Sequence, residues 1–205
     1  MNKEQINKKQ TQQMKSIAVY CGSSLGNDSK IVTDAHDLGK ALAAENITLI
    51  YGGAQIGIMG TVANAVLENG GEAIGVIPQF LKRKEIEHTG LTELHTTQTM
   101  VERKMKMIDL AEGFIALPGG FGTLEELFEV VTALQLAQIP HPVAILNSNG
   151  YYDELIAMMK TMMKKGLLKE QNFELLIIEK DVSVLLERMR NFVPNATPKW
   201  MEINE

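Results

Sequence analysis

Cysteine is almost missing from this chain: Cys21 stands alone among 205 residues. A single thiol excludes an internal disulfide framework and a cysteine-based zinc site. It suits a reducing compartment, so a cytoplasmic location is expected. The four histidines, His36, His88, His95 and His141, show no HExxH or comparable spacing, so no metal is expected. Basic residues do not predominate either. Lys and Arg number 20 against 25 Asp and Glu, a formal net charge of −5, which argues against a broad nucleic-acid-binding surface. No apolar run approaches the ~18–20 residues that cross a bilayer, which leaves no membrane partner. The N-terminal stretch MNKEQINKKQTQQMK is positively charged but has no apolar h-region, so it is not a secretory signal. Residues 1–15 read as a polar, disordered arm and residues 193–205 as a tail.

What remains is ordinary for a soluble domain: 45% hydrophobic and 22% charged residues, in a chain long enough to bury a substantial core. Short apolar runs alternate with longer amphipathic ones. SIAVYC (16–21), ITLIY (47–51), AIGVIP (73–78), FIALP (114–118) and PVAILN (142–147) are continuously apolar, as expected of strands buried on both faces of a parallel sheet. LTELHT (91–96) and FELLII (173–178) are weaker strand candidates. Helical stretches are expected near 29–45, 58–69, 99–111, 123–138, 151–165 and 181–192. Strand–helix alternation of this kind predicts an α/β class: a single Rossmann-like, doubly wound domain over 16–192, its mainly parallel sheet having about seven strands.

Glycine clusters follow three of the strands: Cys21-Gly22-Ser23-Ser24, Gly52-Gly53 and Gly119-Gly120. In an open α/β sheet the carboxyl ends of the strands line the ligand crevice, so the three clusters point towards one site. The strongest is Pro118-Gly119-Gly120-Phe121-Gly122-Thr123-Leu124-Glu125-Glu126. Its glycines permit close approach of backbone to ligand, and the helix that follows offers unpaired N–H groups to an anion such as phosphate. The segment from Gly52 to Gly60 is a second glycine-rich junction, but it matches neither GxGxxG nor GxxxxGK[ST], which disfavours dinucleotide binding and a Walker-type NTPase. Gly52 and Gly53 serve equally well as turn glycines. Ser23 and Ser24 either donate to a ligand or cap the helix near 29.

Three candidates for chemistry stand out. Glu126 lies three residues after Thr123, the spacing of a capping box, and is equally a carboxylate at the site. Arg103, with Lys104, is either part of a solvated helical charge run or a guanidinium facing the crevice. No GxSxG elbow or catalytic-cysteine signature is present, and nothing around Lys104 suggests the cofactor pocket of a Schiff-base enzyme. Met158, Met159, Met162 and Met163 suit helix packing or a subunit interface.

The glycine-rich turn resembles the PGGxGTxxE signature of the LOG ("lonely guy") family, the cytokinin riboside 5′-monophosphate phosphoribohydrolases. Arg103-Lys104 is similar to the family's upstream Arg-Lys pair. AVYCGSS, YGG, GVIP and VAILNSNGYYDEL are similar as well, so the likeness covers about 16–192. It implies a Rossmann-like homodimer that hydrolyses the N-glycosidic bond of adenine-type nucleoside 5′-monophosphates to free base and ribose 5-phosphate. It also implies Arg103 and Glu126 as the catalytic pair. The resemblance adds Glu85, Lys104, Phe121, Gly122, Thr123, Leu124, Glu125 and Thr132 to a substrate-binding set that the strand-end clusters already offer as Gly22, Ser23, Gly52, Gly53, Gly119 and Gly120. The chain departs from the family pattern at Val101 (often His), Ala54 (usually Gly) and Ala133-Leu134 (commonly Trp-Ala). A non-catalytic nucleotide carrier using the same turns is the alternative.

Overall fold

The computed structural model describes residues 14–82 and 87–194. Residues 1–13 of the expected arm, nearly all of the tail and Glu85 therefore lie outside the described residues. Met14, at the end of that arm, is buried in the core.

Seven parallel strands form one sheet: β1 (Ser16–Tyr20), β2 (Thr48–Tyr51), β3 (Ala73–Pro78), β4 (Glu93–Thr97), β5 (Phe114–Ala116), β6 (Val143–Leu146) and β7 (Leu176–Glu179). Their order is β4-β3-β2-β1-β5-β6-β7. The chain runs outwards in one direction from β1 to β4, then returns to β5 beside β1 and runs the other way. The crevice expected of such a sheet lies at that reversal, between the ends of β1 and β5. Register sets the two ends level: Tyr20 pairs with Ala116, and the Gly22 amide donates to the Pro118 carbonyl at 3.1 Å.

Alternation along the strands feeds two cores. Ile17 and Val19 of β1, with Ile115 of β5 and Ala144 of β6, face one layer. That layer is closed by α1 (Ser29–Ala44), α2 (Gly57–Glu68) and α7 (Val182–Arg190). Ala18, Tyr20, Phe114 and Ile145 face the other, closed by α3 (Met100–Leu110), α4 (Phe121–Gln135) and α5 (Asp153–Lys164). Leu38 and Leu42 on α1, and Val62 and Val66 on α2, are almost wholly buried at helical spacing. Each such side chain contributes about 1.5–3 kcal/mol through removal from water. Asp28, not Ser23 or Ser24, caps α1 by accepting from the Lys30 amide at 2.9 Å.

Three differences from the sequence expectation are local. Helix α4 begins at Phe121, two residues early, with Gly120 as a cap that offers no side chain. Phe173 ends a four-residue helix, α6 (Glu170–Phe173), and the strand expected from 173 starts only at Leu176. Ala54 makes an isolated antiparallel bridge to Glu87 beside an otherwise parallel sheet.

Candidate active site

Arg103 comes from the first turn of α3 and Glu126 from the second turn of α4, and both side chains are 9% exposed. The Arg103 Nη1 donates to Glu126 Oε1 at 2.7 Å, and Nε donates to the Val76 carbonyl of β3 at 3.1 Å. Gly52, at the end of β2, makes room for this guanidinium: a Cβ there would lie 2.5 Å from Nη2. Glu126 therefore does not close a capping box with Thr123. A buried arginine claims it, and the helix cap lies three residues before Thr123.

Burial pushes the Glu126 carboxyl up from its ordinary pKa, and the adjacent Arg103 opposes that shift without cancelling it. Beneath the pair, Tyr20 stays a neutral phenol, raised first by burial and then by the charge of Glu126. Cys21 stays a neutral thiol for the same first reason. That removes thiolate nucleophilicity from the site.

The pair opens onto a cavity of about 220 Å³ between the ends of β1 and β5. Gly22, Ser23, Arg103, Gly120, Gly122, Thr123, Glu125 and Glu126 line it, all expected from the sequence. Cys21, Met59, Leu81 and Met100 line it too. Cys21 opens the first glycine cluster and Met59 lies in the Gly52–Gly60 junction, but neither is among the lining residues expected from the sequence; Leu81 and Met100 carry no motif, and only their place just beyond a strand end or at a helix start could have marked them. At the turn, the amides of Gly120, Phe121, Gly122 and Thr123 have no acceptor among the described residues. Three of these residues, Gly120, Gly122 and Thr123, line the cavity, which sets unpaired N–H groups and the positive end of the α4 dipole beside it, an arrangement suited to an anion. Gly119 packs against the floor of the turn, where a Cβ would meet Thr123 Oγ1 at 2.1 Å. A larger cavity of about 660 Å³ lies between α6, β7 and α7. It holds neither the pair nor the turn.

The family model described as "Possible lysine decarboxylase" matches residues 59–189. The chain is 40% identical to the cytokinin riboside 5′-monophosphate phosphoribohydrolase of Rhodococcoides fascians over 178 residues, 86% of this chain and 90% of the relative. This chain belongs to the LOG family. An Arabidopsis thaliana protein of the same printed name is 38% identical, over 88% of this chain and 84% of its own. Fold-level likeness extends further. The molybdenum cofactor binding protein of Rippkaea orientalis superposes with a TM-score of 0.62 at 21% identity, over 84% of this chain and 93% of that one. An X-ray structure from structural genomics reaches 0.68 at 20% identity, over 87% of this chain and all of its own.

Other residues of the LOG-family pattern sit around the cavity without lining it. Lys104 is tied to Glu125 and, at 3.3 Å, to Glu129, so its ammonium bridges α3 to α4. Phe121 is 93% exposed at the start of α4, and Leu124 packs against the core. Gly53 adopts a positive φ of 81° in the turn after β2. Thr132 is exposed further along α4. The positions at which the chain departs from the family pattern are also outside the cavity: Val101 is exposed on α3, and Ala54 and Leu134 are buried in the core. Among the described residues no group of three or more His, Cys, Asp and Glu is placed to hold a metal ion.

Proposed function

We propose that this protein hydrolyses the N-glycosidic bond of adenine-type nucleoside 5′-monophosphates, AMP or an N6-modified form, releasing the base and ribose 5-phosphate. The observation that carries this reading is the buried Arg103–Glu126 pair, 2.7 Å apart, beside four unpaired amides on a glycine turn. The 5′-phosphate binds the amides and the α4 terminus, a remote handle whose binding energy places the sugar. As the bond from C1′ to the base nitrogen breaks, positive charge builds on the ribose. Glu126 faces that charge and stabilises it, or takes a proton from the attacking water. Water supplies the hydroxyl at C1′ and the proton that leaves with the base. Arg103 holds the carboxylate in place through one arm of its fork, and its Nη2, which has no acceptor among the described residues, is free for the substrate. The reading requires no metal, organic cofactor, nucleic acid or membrane, and places the enzyme in the cytoplasm.

The test is base release from AMP against adenosine. Turnover of AMP is expected to exceed that of adenosine by at least ~100-fold, since binding energy from a non-reacting group is spent on the reacting centre. Chelator is expected to leave the rate unchanged. Equal rates on AMP and adenosine would remove the phosphate handle from the mechanism.

The working unit proposed is a homodimer. Helix α5 leaves Met158 53% exposed and α4 leaves Phe128 37% exposed. On α3, bridged to α4 by Lys104, Val101 and Met105 are 66% and 49% exposed. Apolar surface gathered on neighbouring helices marks an interface, and a two-fold pair is the commonest closed assembly. Light scattering at micromolar protein is expected to report twice the chain mass of 22.7 kDa. A single monomeric species overturns the dimer.

A further inference from the structure

Two adjacent tyrosines after β6 reach back to the glycine turn. Tyr151 Oη donates to the Gly119 carbonyl at 2.6 Å, and Tyr152 Oη donates to the Leu117 carbonyl at 2.7 Å. With the Gly22 amide on the Pro118 carbonyl at 3.1 Å, three successive carbonyls of the segment entering α4 are each held from outside. The loop that carries the tyrosines is itself fixed. Asn147 accepts from the Tyr152 amide at 2.8 Å and donates to Asp153 at 2.7 Å, while Asn149 donates to Asp28 at the α1 cap at 2.8 Å.

A trans peptide is planar, so its N–H points opposite to its C=O. Holding the Gly119 carbonyl therefore aims the Gly120 N–H, and Gly120 lines the cavity with no acceptor of its own among the described residues. Holding the Leu117 carbonyl aims nothing, because the next residue is Pro118 and has no N–H. The two tyrosines make the same kind of bond with different consequences.

We propose that Tyr151 is a positioning residue for the phosphate turn: its hydroxyl fixes the Gly119–Gly120 peptide so that the Gly120 amide meets the 5′-phosphate. This rests on the phosphate reading given above. Tyr151 is half exposed and Tyr152 is buried. Loss of the Tyr151 hydroxyl therefore removes aim with little stability, and loss of the Tyr152 hydroxyl removes stability with no aim.

Calorimetry of ribose 5-phosphate and of ribose, together with AMP kinetics and melting curves, tests this on the full chain. Tyr151→Phe is expected to bind ribose 5-phosphate about five- to tenfold more weakly, the scale of one hydrogen bond. KM for AMP should rise by a similar factor, kcat should move less, ribose binding should be unchanged and the melting temperature near wild type. Tyr152→Phe is expected to melt lower while keeping the wild-type preference for ribose 5-phosphate over ribose. Wild-type affinity for ribose 5-phosphate in Tyr151→Phe overturns the proposal, as does an equal loss of preference in both variants. A wild-type protein that binds ribose 5-phosphate no better than ribose overturns the phosphate reading itself, which separates the two failures.

Discussion

Glu126→Gln is expected to fold, to bind AMP, and to lose at least ~100-fold in turnover, the scale of a positioned acid–base group. The amide keeps a side-chain oxygen where Arg103 Nη1 donates at 2.7 Å. It loses the negative charge that the developing sugar cation requires. Stability should change little. Burial raises the Glu126 carboxyl, so its ionised form costs the fold energy; Gln removes that cost and leaves Arg103 without its counter-charge, though still hydrogen-bonded to the amide oxygen and the Val76 carbonyl, so the two effects largely offset. A melting temperature within a few degrees of wild type is expected, since about 1 kcal/mol moves a domain of this size by roughly 2–4 °C. The pH profile gives a second readout. The ionised carboxylate is the working form, so kcat/KM should fall on the acid side, along a limb displaced upward from the ordinary glutamate value, and Gln should abolish that limb. Full activity in Glu126→Gln would leave this carboxylate without a role in the chemistry. AMP binding by the wild type without base release would favour a carrier instead.

The strands buried on both faces were legible because burial leaves a continuous apolar run. β1, β2, β3, β5 and β6 all fall within the runs expected. The edge strands were fainter. In β4, Glu93 and Thr96 face solvent, and β7 has only one sheet neighbour. The four residues of α6 are too few to show a helical period. The start of α4 was misplaced for an instructive reason. The Thr123–Glu126 spacing satisfies the local rule for a capping box, but Arg103 is 23 residues away in sequence and wins the carboxylate through tertiary packing. A separation of about 50 residues likewise hid the role of Gly52, whose missing side chain is needed by Arg103 on another element. Sequence alone left Arg103 open between a surface charge run and the crevice, and the LOG resemblance supplied the pairing. Lys104 shows the limit of carrying over a motif. Its neighbour enters the cavity, while its own charge joins Glu125 and Glu129 between two helices, because successive residues of a helix point in different directions.

Arg103→Met should give the largest loss of stability, about 3–5 kcal/mol near neutral pH, because it strands a buried carboxylate. The pH dependence has a definite sign. The folded pKa of Glu126 already lies above its unfolded value, and removing Arg103, which lowers it, raises it further. A raised carboxyl pKa means that ionisation opposes folding. The penalty is absent below the unfolded value and complete above the folded one. The deficit of Arg103→Met against wild type should therefore shrink as acid protonates Glu126 and reach its full size only at higher pH. Combining it with Glu126→Gln removes the stranded charge. The double variant is expected to be more stable than Arg103→Met alone, and its deficit should lose this pH dependence, a coupling that a double-mutant cycle measures directly. Neither variant should turn over AMP, so the comparison separates the arginine's contribution to the fold from its contribution to the reaction. Additive losses with no pH dependence would mean that the two side chains do not act as a buried ion pair. Arg103 would then have to act on the substrate alone.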